Sequence, residues 1–272
     1  MPLVPSWLGA GGGEPPPPQV PSPQNPPPPQ TVPPLGAPLP PMPPQEAGDR
    51  FRSPRINFNR FARSNDSRSL GKALGGYVRS GTRGRRRATQ RMGSSRGTAS
   101  RVVGFIGEVA RSGTNAALER FGLADCVGKP TAEVLPRLLD VMCPPGGDID
   151  QGIAREAFAY AVAEFATEDL PEIEQLSIDQ WKEFFNELVT RTIELRIMAD
   201  IGEKVLELPQ DVRAIEITEN AVHAYIQACV RESVGDRLDN VGTLNENDLR
   251  GITDQIYEGA FGIFESMEDE AE

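Results

Sequence analysis

Residues Ser177–Leu208 read SIDQWKEFFNELVTRTIELRIMADIGEKVLEL, and within them Trp181, Phe184, Phe185, Leu188, Leu195, Met198 and Val205 recur at three, four and seven residue steps. A helix gathers such positions on one face, whereas a strand would split them between two. Pro209 follows and stops the pattern, because its ring removes the amide donor a helix needs. The stretch therefore predicts one long amphipathic helix, whose apolar side other elements must cover. Toward the C-terminus the same stripe returns. Ile215, Val222, Ile226, Val230 and Val234 predict a helix from Asp211 to about Asn240, and a last one runs from Asn247 to about Met267. Toward the N-terminus, DIDQGIAREAFAYAVAEFA places acids at the positive end of a helix and sets Ile153, Ala157 and Tyr160 on one side. TNAALERFGL and TAEVLPRLLDVMC each open on a Thr suited to capping free amides, with Gly122 and Pro144 as stops. Val102, Phe105, Ile106 and Val109, and before them Leu70, Leu74 and Tyr77, repeat the stripe in two shorter helices. No run of β-branched alternation is long enough for a sheet. The expected fold class is all-α, a helical bundle.

Ahead of the helices the composition changes. Glu14–Gln45 reads EPPPPQVPSPQNPPPPQTVPPLGAPLPPMPPQ, too rich in proline for a helix or central strand and too poor in apolar surface to offset the entropy of ordering. It predicts a disordered tail that favours polyproline II, reaching on the order of 100 Å at about 3.1 Å per residue. Before it, Pro2, Leu3, Val4, Pro5, Ser6, Trp7 and Leu8 form a small apolar knob on a glycine swivel. This segment reads either as a plain disordered end or as a docking peptide for a partner protein, since Trp anchors interfaces and extended peptides dock at little ordering cost. Three regions result: a tail over 1–48, an Arg-rich lead-in with short helices over 49–101, and an acidic helical domain over 102–272, with 67–272 able to fold as one unit.

Charge divides along the same lines. Residues 50–101 carry fifteen Lys or Arg against the single acid Asp66, while residues 102–272 carry thirteen basic and thirty-five acidic residues, within a formal net charge of −11. Arg79, Arg83, Arg87 and Arg91 recur every four residues, which on a helix draws them to one face, and Arg85, Arg86 and Arg96 widen the patch. Such a cluster suits the phosphates of DNA or RNA, bound without sequence reading and with strong salt dependence. The same arginines also suit the acidic helices of this chain or of a neighbouring subunit. Phe51, Phe58 and Phe61 either stack on bases or pin a strand-like lead-in onto the bundle.

Catalytic groups are scarce. His223 is the one histidine, set on a helix in AVHAYIQA with no evident metal partner. Asp148 and Asp150 hint at a calcium loop, but Gly152 stands where an oxygen ligand is needed and Ala159 where the closing Glu belongs. GAGGGE (Gly9–Glu14) lacks the strand and the Lys-Ser or Lys-Thr of a phosphate loop. No enzyme activity, cofactor or metal is expected. Cys126, Cys143 and Cys229 lie far apart and read as small apolar residues of a reducing compartment. No apolar run approaches the roughly 18 to 20 residues that span a bilayer, and the start has no basic segment followed by an apolar core, so a cytoplasmic protein without membrane contact is expected.

The order of segments carries a resemblance. PLVPSWLG, the proline-rich spacer, RFRSPRINFNRFARS, SLGKALGGYVRSGTRG, RRATQRMGSSR, CPPGGDIDQGIAREAF and ELPQDVRAIE together resemble QatB, the second component of the four-protein Qat anti-phage defence system of bacteria. One departure is that family members open on a short glycine-led stretch, whereas here Met1 is followed directly by Pro2. The resemblance implies a defence subunit without chemistry of its own, working beside an ATPase, an enzyme similar to one of queuosine synthesis, and a nuclease similar to the TatD metal-dependent DNases. It also implies a use for the tail, which would carry the amino terminus to the queuosine-type partner for recognition or modification.

Overall fold

The computed structural model describes residues 50–144, 146, 148–165, 171–202 and 212–270. Residues 1–49, and with them the knob Pro2–Leu8, lie outside the described residues. The described elements are all helical: α1 Arg52–Ser64, α2 Ser67–Gly76, a π-helical turn Tyr77–Thr82, α3 Arg85–Arg91, α4 Gly93–Ser112, α5 Thr114–Arg120, α6 Thr131–Met142, α7 Ile149–Phe165, α8 Ile178–Gly202, α9 Val212–Val234 and α10 Glu246–Glu270. Short 3₁₀ turns join several of them, and no strand occurs among the described residues. The all-α expectation holds. No described helix is long and apolar enough to cross a membrane.

The opening stretch becomes α8, which packs on α7, α9 and α4. Trp181, Phe184, Phe185 and Leu188 are at most 1 % exposed, and the Trp181 ring meets Phe105 of α4 edge-on at 5.1 Å between centroids. Farther along, the buried residues are Ile193, Ile197 and Ile201, while Leu195 and Met198 are only partly covered. The buried stripe thus winds around the helix, because Val189, Ile193, Ile197 and Ile201 follow four-residue steps, each of which overshoots a turn of 3.6 residues by about 40°. Val205 lies outside the described residues. The second centre is α10, which packs on α9, α2, α3 and α4 and buries Ile256, Tyr257, Phe261 and Phe264.

Several local expectations are corrected. The lead-in is helical, not strand-like: Phe51, Phe58 and Phe61 are 7 %, 1 % and 2 % exposed, so they pin α1 onto the body and offer no face to a base. Pro54 fits because it falls in the first turn of α1, where amides have no intrahelical acceptor. Thr114 and Thr131 do not cap. Gly113 ends α4 and starts α5 in a single residue at φ 86°, which draws Thr114 inside, and Thr131 Oγ1 donates instead to the Pro171 carbonyl at 2.6 Å. Tyr160 faces outward at 47 % exposure, and Phe158 and Ala161 fill the core in its place. The helix expected to reach Asn240 stops at Val234, where Gly235 takes φ 42°.

Where α2 passes into the π-helical turn, Phe51 stacks on Tyr77 at 5.5 Å. Gly81 is needed there for space: a Cβ would stand 2.4 Å from the Phe51 ring. Gly81→Ala is expected to cost about 1–3 kcal/mol through overpacking, read as a lower Tm in thermal unfolding. An unchanged Tm would mean that Phe51 is not seated against this turn.

Candidate nucleic-acid interface

The every-four-residue arginine spacing does not make one helical face. Arg79 lies in the π-helical turn, and the chain then reverses through Arg83 at φ 65° and Gly84 at φ 105° before α3 begins. A left-handed non-glycine residue is uncommon, and here it fans the arginines over a rounded shoulder. Their partners differ with burial. Arg91 grips Asp200 of α8 with both prongs, Nη2 to Oδ1 at 2.7 Å and Nε to Oδ2 at 3.2 Å. Tyr77 donates its hydroxyl to the same carboxylate at 2.9 Å. Arg196 lies 3.4 Å from it and also binds Asp150. Burial first, and then the Asp200 charge, push the Tyr77 hydroxyl above its ordinary range, which keeps it a donor.

Toward α10 the pairs loosen. Arg85 and Arg86 share Glu258 at 3.4 and 3.3 Å, Arg96 meets Asp254 at 2.8 Å, and Arg79 donates to the Glu265 carbonyl at 3.1 Å. The acidic helices of the same chain thus take up part of the patch. Arg83 and Arg87 remain exposed and form no ion pair with a described residue. Sequence spacing missed Arg50, which together with Gly81, Thr82, Arg87, Gln90 and Arg91 lines a hollow of about 310 Å³. It also missed a groove of about 500 Å³ between α4 and α10, walled by Arg96, Arg101, Arg250, Glu246 and Asp254. The spacing Gly93, Gly97, Ser100, Gly104 on α4 was the available sign of that groove, since small residues leave the helix backbone bare.

His223 is committed internally. Its Nε2 lies 3.3 Å from Glu187 and its Nδ1 3.1 Å from Glu194, both on α8, and Arg191 binds the same two carboxylates at 2.7 and 3.2 Å. Asp148 accepts from the Gln151 amide at 2.7 Å and Asp150 serves Arg196, so both acids of the suspected calcium loop have other work. The three cysteines are buried and unbridged. Burial pushes the Cys229 thiol up to about 12, far from a nucleophile's range.

Fold and surface together define an all-α protein whose acidic body carries an arginine-rich shoulder. Residues 83–264, two thirds of the chain, match the family model described as QatB, Qat anti-phage system associated protein QatB. The chain belongs to the QatB family and is a component of the Qat anti-phage defence system. No curated protein and no solved structure matches it.

Proposed function

We propose that this chain is a non-catalytic interaction subunit of a cytoplasmic Qat complex. Its tail docks through Pro2–Leu8 onto a queuosine-synthesis-like enzyme, to which it presents its amino terminus, beside an ATPase and a TatD-like nuclease. The observation that carries the reading is the fate of the reactive side chains. The lone histidine and the buried acids of α8 are spent on internal ion pairs, and what faces outward is charge suited to holding other molecules. A proline-rich stalk supplies reach at low ordering cost. Deleting residues 1–45 is expected to abolish co-purification with the queuosine-type enzyme while leaving the thermal transition of the helical body in place. Undiminished capture would reject tail docking.

A second reading, a sensor that binds DNA or RNA through the Arg-rich segment, draws support from Arg83 and Arg87. Both are exposed with no carboxylate partner among the described residues.

A further inference from the structure

The second reading gives the shoulder a ligand class but no place where a ligand would sit. Among the shoulder arginines, those nearest a carboxylate have taken it, and Arg87 is left across a hollow from Arg50, which stands just ahead of α1. There Arg50 and Arg87 border the hollow of about 310 Å³, and neither forms an ion pair with a described residue. Arg91 forms the third side and is fixed in place by Asp200. Phe51 backs the site, with the Arg91 guanidinium 6.0 Å from its ring centroid. Among the described residues, no acidic side chain lines the hollow. Two forked cations with no counter-ion among the described residues, beside a third held rigid, make a receptor for a tetrahedral oxyanion, because guanidinium groups match phosphate oxygens two at a time.

The cationic surface continues beyond the hollow. Arg52, Ile56 and Arg60 stand on the exposed side of α1 at successive four-residue steps, and Arg52 and Arg60 likewise lack an ion pair among the described residues. A ligand with one anion would use only the hollow. A ligand with anions at regular intervals meets hollow and helix together. The buried Phe51, Phe58 and Phe61 offer nothing for bases to stack on, so binding falls on the sugar-phosphate chain. We propose that the Arg50–Arg87–Arg91 hollow is a phosphate pocket that anchors a nucleic-acid backbone, which then runs along the exposed side of α1 without sequence preference. This rests on the second reading and gives it a location.

The test uses the full chain and a single-stranded DNA of mixed sequence, about 20 nucleotides long, in fluorescence anisotropy across a salt series. Binding is expected at low salt. The double variant Arg50→Ala with Arg87→Ala should bind at least about tenfold more weakly, and the slope of log K against log salt should fall by about 1.4, at roughly 0.7 for each single-strand phosphate no longer neutralised. Its Tm should not change, since neither side chain holds the fold. Arg85→Ala with Arg86→Ala, which removes the pair on Glu258, should move the slope less than half as far. If binding disappears in the second double variant and survives in the first, the hollow is wrong while the shoulder reading stands. No binding by the unmodified chain defeats both. Polyglutamate of equal charge displacing the DNA as well as unlabelled DNA does would make the ligand an acidic protein and overturn the nucleic-acid assignment.

Discussion

Asp200→Ala is expected to cost about 3–5 kcal/mol of folding stability, the usual loss when one partner of a buried ion pair is removed. The Asp200 side chain is 10 % exposed, that of Arg196 13 % and that of Arg91 35 %. Without the carboxylate, Arg91 loses its counter-charge, the nearly buried Arg196 keeps only Asp150, and Tyr77, which is fully buried, loses its acceptor. Glu258→Ala makes the matched comparison. Glu258 also serves two arginines, but it is 34 % exposed and they are 55 % and 84 % exposed, so its loss is expected to cost under about 1 kcal/mol. Urea unfolding followed by circular dichroism separates the two. Asp200→Asn should remain close to Asp200→Ala, because the amide keeps the shape and removes the charge. Equal costs at Asp200 and Glu258 would show that burial does not set the value of these pairs. Since Asp200 ties both the π-helical turn and α3 to α8, its loss should also loosen the hollow beside Arg91.

That carboxylate shows where sequence reading stops. The helices were legible because their cause is local: Leu70 and Leu74, or Val222, Ile226, Val230 and Val234, declare a buried face within a few turns. The pairing of Asp200 with Tyr77 and Arg91 spans 123 and 109 residues of sequence, and nothing near Asp200 announces it. The arginine shoulder was legible as composition but not as shape. A four-residue spacing implied one face, and a left-handed Arg83 followed by Gly84 broke it. Glycine at 84 hinted at a turn, but no rule assigns a left-handed conformation to an arginine. Phe51, Phe58 and Phe61 had helical spacing all along, and Pro54 is compatible with it because it occupies a first turn. Arg50 was passed over because its importance comes from facing Arg87 across a hollow, a relation between separate elements.

His223 had the same fate, since its partners belong to another helix, and it leads to the second large effect. Hydrogen bonds to Glu187 and then to Glu194 raise its pKa from 6.5 to about 9, against the opposing pull of burial. In the unfolded chain the imidazole returns to 6.5. A group whose folded pKa is the higher one stabilises the fold fully below its unfolded value and loses that contribution as pH rises through the folded one. The window therefore runs from pH 6.5 to about 9, and the contribution lost across it is about 3 kcal/mol at roughly 1.36 kcal/mol per unit. With a single histidine in the chain, no other imidazole competes in that range. Glu187 responds in the opposite sense. Burial pushes its carboxyl up, but His223 and Arg191 together outweigh burial and hold it low, so acid below the ordinary carboxylate range breaks the cluster from the other side. His223→Gln should be less stable than the unmodified chain by about 3 kcal/mol at about pH 6, with the gap closing above about pH 9. Urea unfolding at about pH 6, 7.5 and 9.5 reads it directly. A gap of constant size at all three values would mean that the imidazole is held by packing alone and that Glu187 and Glu194 do not keep it protonated.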